Sequence, residues 1–69
     1  MKLETLDQLG EAKRLSRRVK VYFREDGTLA ADGVILSFDA DTVSILDYSI
    51  GVVHFFREVV DVYDDASVQ

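Results

Sequence analysis

From Val19 onward the apolar residues of this chain fall at every second position, and they keep that rhythm almost to the end. Val19, Val21 and Phe23 alternate with Lys20, Tyr22 and Arg24, the signature of a strand with one buried face. Similar β-rich runs return over residues 28–38, 42–47, 52–57 and 59–63. Turn formers stand between them: Glu25-Asp26-Gly27, Asp39-Ala40-Asp41 and Tyr48-Ser49-Ile50-Gly51, with Glu58 marking a tight break before the last run. Asp32-Gly33 interrupts the second run, and a glycine inside a strand predicts a bulge or a sharp bend. Five short strands at this spacing predict a strongly bent antiparallel barrel of SH3-like type.

Ahead of the strands the period is helical. Leu6, Leu9 and Leu15, with Ala12 between them, form one stripe. Thr5 and Gln8 have the spacing of a capping box, each side chain serving a backbone N–H left over at the helix start. Asp7 in the first turn and Lys13 and Arg14 near the end complement the helix dipole. The helix is expected to stop between Leu15 and Arg17. The fold class is therefore mostly β, a short N-terminal α-helix followed by a five-stranded barrel. It is read as one domain over residues 1–63 with an acidic tail over 64–69.

Such a domain has little core. A chain of 69 residues hides only about 60% of its unfolded surface, and small domains usually recruit disulfides, metals or partner subunits. With no cysteine and a single histidine, association is the remaining aid. The runs Val52-Val53-His54-Phe55-Phe56 and Val59-Val60-Asp61-Val62-Tyr63 hold no proline and no lysine, the residues that blunt natural edge strands. They read as edges made to be covered by a neighbouring subunit. No apolar run approaches a membrane span and no signal-peptide core is present, so a soluble, cytoplasmic protein without membrane partners is expected.

The net charge of −5 conceals two opposed halves. Residues 1–24 hold seven basic and three acidic side chains, whereas residues 25–69 hold one basic and ten acidic. Lys13, Arg14, Arg17, Arg18, Lys20 and Arg24 lie together with no acid among them, a candidate phosphate-binding patch. The competing reading is a helix end that pairs with the acidic barrel. His54, flanked by apolar residues, is read as a strand residue facing solvent or an interface. Asp39, Asp41 and Asp47 give an incomplete calcium loop, because Val43 stands at a ligand position and the central glycine is missing. No metal site, cofactor or catalytic constellation is assigned, and an enzyme is not expected. Phe38, Phe55 and Phe56 are read as core or interface packing, and Tyr22 as either a base-stacking ring or a cover for the sheet.

The stretch from Gly33 to Leu46, G-V-I-L-S-F-D-A-D-T-V-S-I-L, resembles the first motif of the Sm-like (LSm/Hfq-type) family, above all as bacterial Hfq proteins carry it. Phe55-Phe56-Arg57-Glu58-Val59-Val60 stands in the place of the second motif, and the helix, basic run and Val-x-Val-Tyr strand are similar in position. The resemblance spans roughly residues 3–63. It implies a cyclic homo-oligomer of five to seven subunits, joined by the fourth strand of one to the fifth of the next. It also implies single-stranded RNA as a partner. Arg17 and Arg18, with Lys13 and Arg14 before them, match the family's rim patch. Tyr22 lies near a first-strand aromatic used for adenine-rich RNA, and Arg57 matches the basic pore residue.

The pore loops depart from the family pattern. Asp41 stands where a base-stacking aromatic or histidine is placed, Val43 replaces an asparagine, and Glu58 replaces a histidine. The hairpin between the first two strands is one residue longer. A base pocket needs a π face and positive charge. Asp39, Asp41 and Glu58 would instead make the pore mouth negative, with Arg57 pairing to Glu58. The expectation is a ring-forming RNA-binding module acting through its basic rim rather than its pore. The alternative is an acidic oligomeric adaptor that has lost RNA and binds a basic protein. A third reading is an SH3-like interaction domain that forms no ring.

Overall fold

The computed structural model describes residues 1–64. Helix α1 (Leu6–Arg14) begins where the capping box places it. Thr5 is extended, its Oγ1 accepts the Gln8 N–H at 3.1 Å, and Gln8 Oε1 accepts the Thr5 N–H at 3.1 Å. At the other end Leu15 is the C-cap and Ser16 takes φ +52°. The Arg17 N–H donates to Ala12 O and the Ser16 N–H to Lys13 O, the paired closure of a Schellman motif. That motif usually uses glycine, so Ser16 holds a left-handed backbone against its Cβ. Of the expected apolar stripe only Leu9 and Ala12 are buried; Leu6 and Leu15 are exposed.

Six strands follow one another through the chain: β1 (Lys2–Leu3), β2 (Val19–Phe23), β3 (Leu29–Phe38), β4 (Thr42–Asp47), β5 (Gly51–Phe56) and β6 (Val60–Asp64). A 3₁₀ turn, Arg57–Val59, supplies the break expected at Glu58. All pairings are antiparallel and form one sheet in the order β1-β6-β2-β3-β4-β5. The sequence reading of five strands is thus corrected to six. The extra strand, β1, precedes the helix and is too short to show a period. Leu3 is buried and pairs with Val62, so β1 is held by one apolar anchor and the β6 ladder.

The sheet is open, with β1 and β5 at its two ends. It is nevertheless curled. Phe23 on β2 and Phe55 on β5 are three strand spacings apart, about 14 Å in a flat sheet, yet their rings meet edge-on with centroids at 5.9 Å. The concave face carries the core: Val19, Val21, Ala31, Ile35, Val43, Ile45, Val60 and Val62, closed off by Leu3, Leu9 and Ala12. Each large aliphatic side chain removed from water here contributes about 1.5–3 kcal/mol.

The expected interruption at Asp32-Gly33 is absent, since β3 runs straight through it. The irregularities lie elsewhere: Ala30 is the extra residue opposite Val21 and Tyr22, and Leu36 the extra residue opposite Ser44 and Ile45. Gly33 has a different reason. A Cβ built there would stand 1.8 Å from the Leu46 carbonyl oxygen, so the glycine permits a close backbone approach between β3 and β4. Gly27 takes φ +73° in the β2–β3 turn, as its turn role requires. The acidic tail expected over 64–69 lies outside the described residues except for Asp64, which is corrected from tail to strand: it ends β6 and is buried.

Candidate functional site

The basic segment leaves α1 through the Ser16 turn and enters β2, so its side chains divide between the helix end and the sheet. Antiparallel pairing then sets acids beside them. Arg14 meets Glu11 one turn back on the helix at 2.8 Å. Arg17 Nη1 reaches Asp64 Oδ2 at 3.0 Å, and the carboxylate is almost wholly buried. Arg18 grips Asp32 with two parallel bonds of 2.7 and 2.6 Å and lies over the Tyr48 ring at 5.5 Å. Arg24 Nε donates to Asp61 Oδ1 at 2.8 Å, and Lys2 meets the same oxygen at 3.2 Å. Lys20 sits opposite Asp32 on β3 and Tyr63 on β6.

The aspartates record this pairing in their protonation. The Arg18 guanidinium holds the Asp32 carboxyl below its ordinary value, and Arg24 with Lys2 does the same for Asp61. Tyr22, half-buried on the convex face, packs edge-on against Tyr63 with centroids at 5.7 Å. The residues assigned to the rim thus divide between the helix end and the sheet, and Arg14, Arg17, Arg18 and Arg24 are each engaged by a carboxylate. Lys13 stands exposed on the helix end.

Of the residues assigned to the pore loops, Asp41 and Glu58 lie together. Ala40, Asp41, Phe56, Arg57 and Glu58 line a hollow of about 280 Å³. Arg57 does not pair with Glu58, correcting the expectation. Its guanidinium donates to Asp39 O and Ala40 O, each at 3.2 Å, and to Glu4 O at 3.1 Å, tying the β3–β4 turn to the segment between β1 and α1. Asp39 is a turn cap: its Oδ1 accepts the N–H groups of Asp41 and Thr42 at 2.8 and 2.7 Å, which lowers its pKa. Asp47 accepts the N–H of Asp32 through one oxygen and those of Ser49 and Ile50 through the other, with the same consequence. Asp41 and Glu58 are exposed. Among the described residues no group of three or more His, Asp or Glu side chains is arranged to hold a metal ion, and no helix is long and apolar enough to cross a membrane.

The other candidate surface is β5. Its inward side chains, Val53 and Phe55, pack against the core, while Val52, His54 and Phe56 face outward and are exposed. His54 Nδ1 lies 2.6 Å from Ser44 Oγ on β4. Across the convex face Val34, Leu46 and Val52 stand in one register row, and Ile50 and Tyr48 project from the loop beside it. The segment from Gly51 to Phe56 carries no formal charge and no proline, and among the described residues no strand other than β4 pairs with it. The last strand behaves differently from its sequence expectation as an edge. β6 is internal, with β2 on one side and β1 on the other along Val62 and Tyr63, and the Asp64 N–H donates to Met1 O at 2.8 Å. Comparison with protein-family models, curated proteins and solved structures gave no match.

Proposed function

We propose that this chain is a non-enzymatic association module of Sm-like type whose working surface is the β5 edge, the adaptor of the two readings, rather than an RNA-binding rim. The observation that carries this is the contrast in solvation. Arg14, Arg17, Arg18 and Arg24 are engaged by carboxylates, whereas β5 leaves an uncharged strand edge flanked by Val52 and Phe56, which are 52% and 66% exposed. An open edge of this kind is a template for another strand. The Sm-like placement is supported by the succession of capped helix, basic junction and curled antiparallel strands, with a 3₁₀ break before the last of them.

RNA titration at low salt tests the choice. Poly-U and poly-A oligomers are expected to leave the protein unbound, because phosphates must displace aspartates already in place. Binding that falls steeply with salt and is lost in Lys13→Glu with Arg14→Glu would return the function to the rim. Those two positions are exposed helix residues, so their substitution leaves the core intact.

A further inference from the structure

We infer that the partner of the β5 edge is a second copy of the same edge, paired antiparallel about a two-fold axis through His54. This rests on the reading of β5 as the docking edge and specifies what docks there. The direction of the free backbone groups follows from the neighbouring bond. The Arg57 N–H donates to Asp41 O at 2.7 Å, toward β4. Alternate residues of an antiparallel strand turn the same way, so Phe55 and Val53 also turn to β4. Val52, His54 and Phe56 then direct their N–H and C=O groups away from the sheet.

These are the residues a second β5 would meet. With His54 opposite its own copy, Val52 faces the partner's Phe56 and Phe56 the partner's Val52, while on the concave side Val53 faces the partner's Phe55. Aromatic and β-branched residues are favourable cross-strand pairs, and no charged residue of Gly51–Phe56 meets its like, because there is none. The row Val34, Leu46, Val52 would continue onto the partner's Phe56, covering the most exposed ring of the sheet. The opposite end of the sheet is already partly paired. β1 occupies β6 at Val62 and Tyr63, with Met1 O taking the Asp64 N–H, so a β5 strand arriving head to tail finds that site filled. A self-complementary edge that pairs with its own copy gives a closed, isologous dimer.

The chain contains no cysteine, which makes the register directly testable. Under mild oxidation at micromolar concentration, His54→Cys is expected to convert to a disulfide-linked dimer, since only a two-fold through residue 54 brings that position to itself within disulfide reach. Val52→Cys and Phe56→Cys are expected to stay unlinked alone and to cross-link when mixed. Light scattering of the parent protein separates the failures. A mass of five to seven subunits with no His54→Cys cross-link would overturn the two-fold register and keep β5 as a docking edge. A monomeric mass at every concentration would overturn both.

Discussion

The basic segment at residues 13–24 and the β5 edge at Gly51–Phe56 have opposite histories between sequence and structure. The first is conspicuous as a string, a run of cations without an acid. In the fold it is matched by carboxylates far along the chain: Arg17 with Asp64, Arg18 with Asp32, Arg24 with Asp61. The second is an ordinary apolar strand as a string, and among the described residues it ends the sheet with its outer side unpaired. Charge clustering along a sequence says little about charge clustering in space when antiparallel register brings the other half of the chain alongside. An uncharged strand, by contrast, keeps its character wherever it lands, and its position at the end of the sheet decides its use.

The comparison can be pressed hardest where a cation serves a buried carboxylate. Arg17→Ala leaves Asp64 enclosed without its guanidinium partner, and a loss of about 2 kcal/mol in urea unfolding is expected, below the value for a fully buried pair because Arg17 itself is partly solvated. A neutral result would mean that the arginine is available for a ligand after all. Acid should act in the same direction. Asp32 and Asp61 are held below their ordinary values by Arg18 and Arg24 with Lys2, and Asp39 and Asp47 by backbone N–H groups. Their folded pKa values lie below the unfolded ones, so the stability they contribute is fully present above about pH 4 and is lost as pH falls through the folded values. The thermal midpoint should hold from pH 7 to about 5 and decline below about 4, and Arg18→Ala should flatten part of that decline.

Smaller effects sharpen the contrast. Arg18→Ala removes a bidentate but exposed pair and should cost about 0.5–1 kcal/mol at neutral pH, visibly less than Arg17→Ala. Ser16→Gly relieves the left-handed strain at the entrance to the basic segment and should stabilise by about 1 kcal/mol, read as a rise in the denaturation midpoint.

Much of the fold is legible without coordinates because it depends on local period. The capping box, the Gly27 turn and the strand runs sit within a residue or two of their expected positions. Three features escape that reading for physical reasons. β1 has two residues and no period, and only its anchor Leu3 marks it. Gly33 looks like a bend but answers to the Leu46 carbonyl across the sheet, a contact that no local pattern encodes. Leu6 and Leu15 fit a helical stripe, yet of that stripe α1 buries only Leu9 and Ala12. The cations at 13–24 are legible as a run, while the pairing of Arg17, Arg18 and Arg24 with distant aspartates depends on how the strands come together, which the sequence leaves open. The bareness of β5 was foreshadowed by its lack of lysine and proline; the covering of β6 was not.

Sedimentation velocity across a concentration series, with the parent beside Val52→Lys and Phe56→Lys combined, tests the role of β5 most directly. Both positions are exposed in the single chain, so the variant should unfold at the midpoint the parent shows when diluted to a monomer. The expected result is a concentration-dependent dimer for the parent and a monomer for the variant throughout. Equal masses for the two proteins would contradict it.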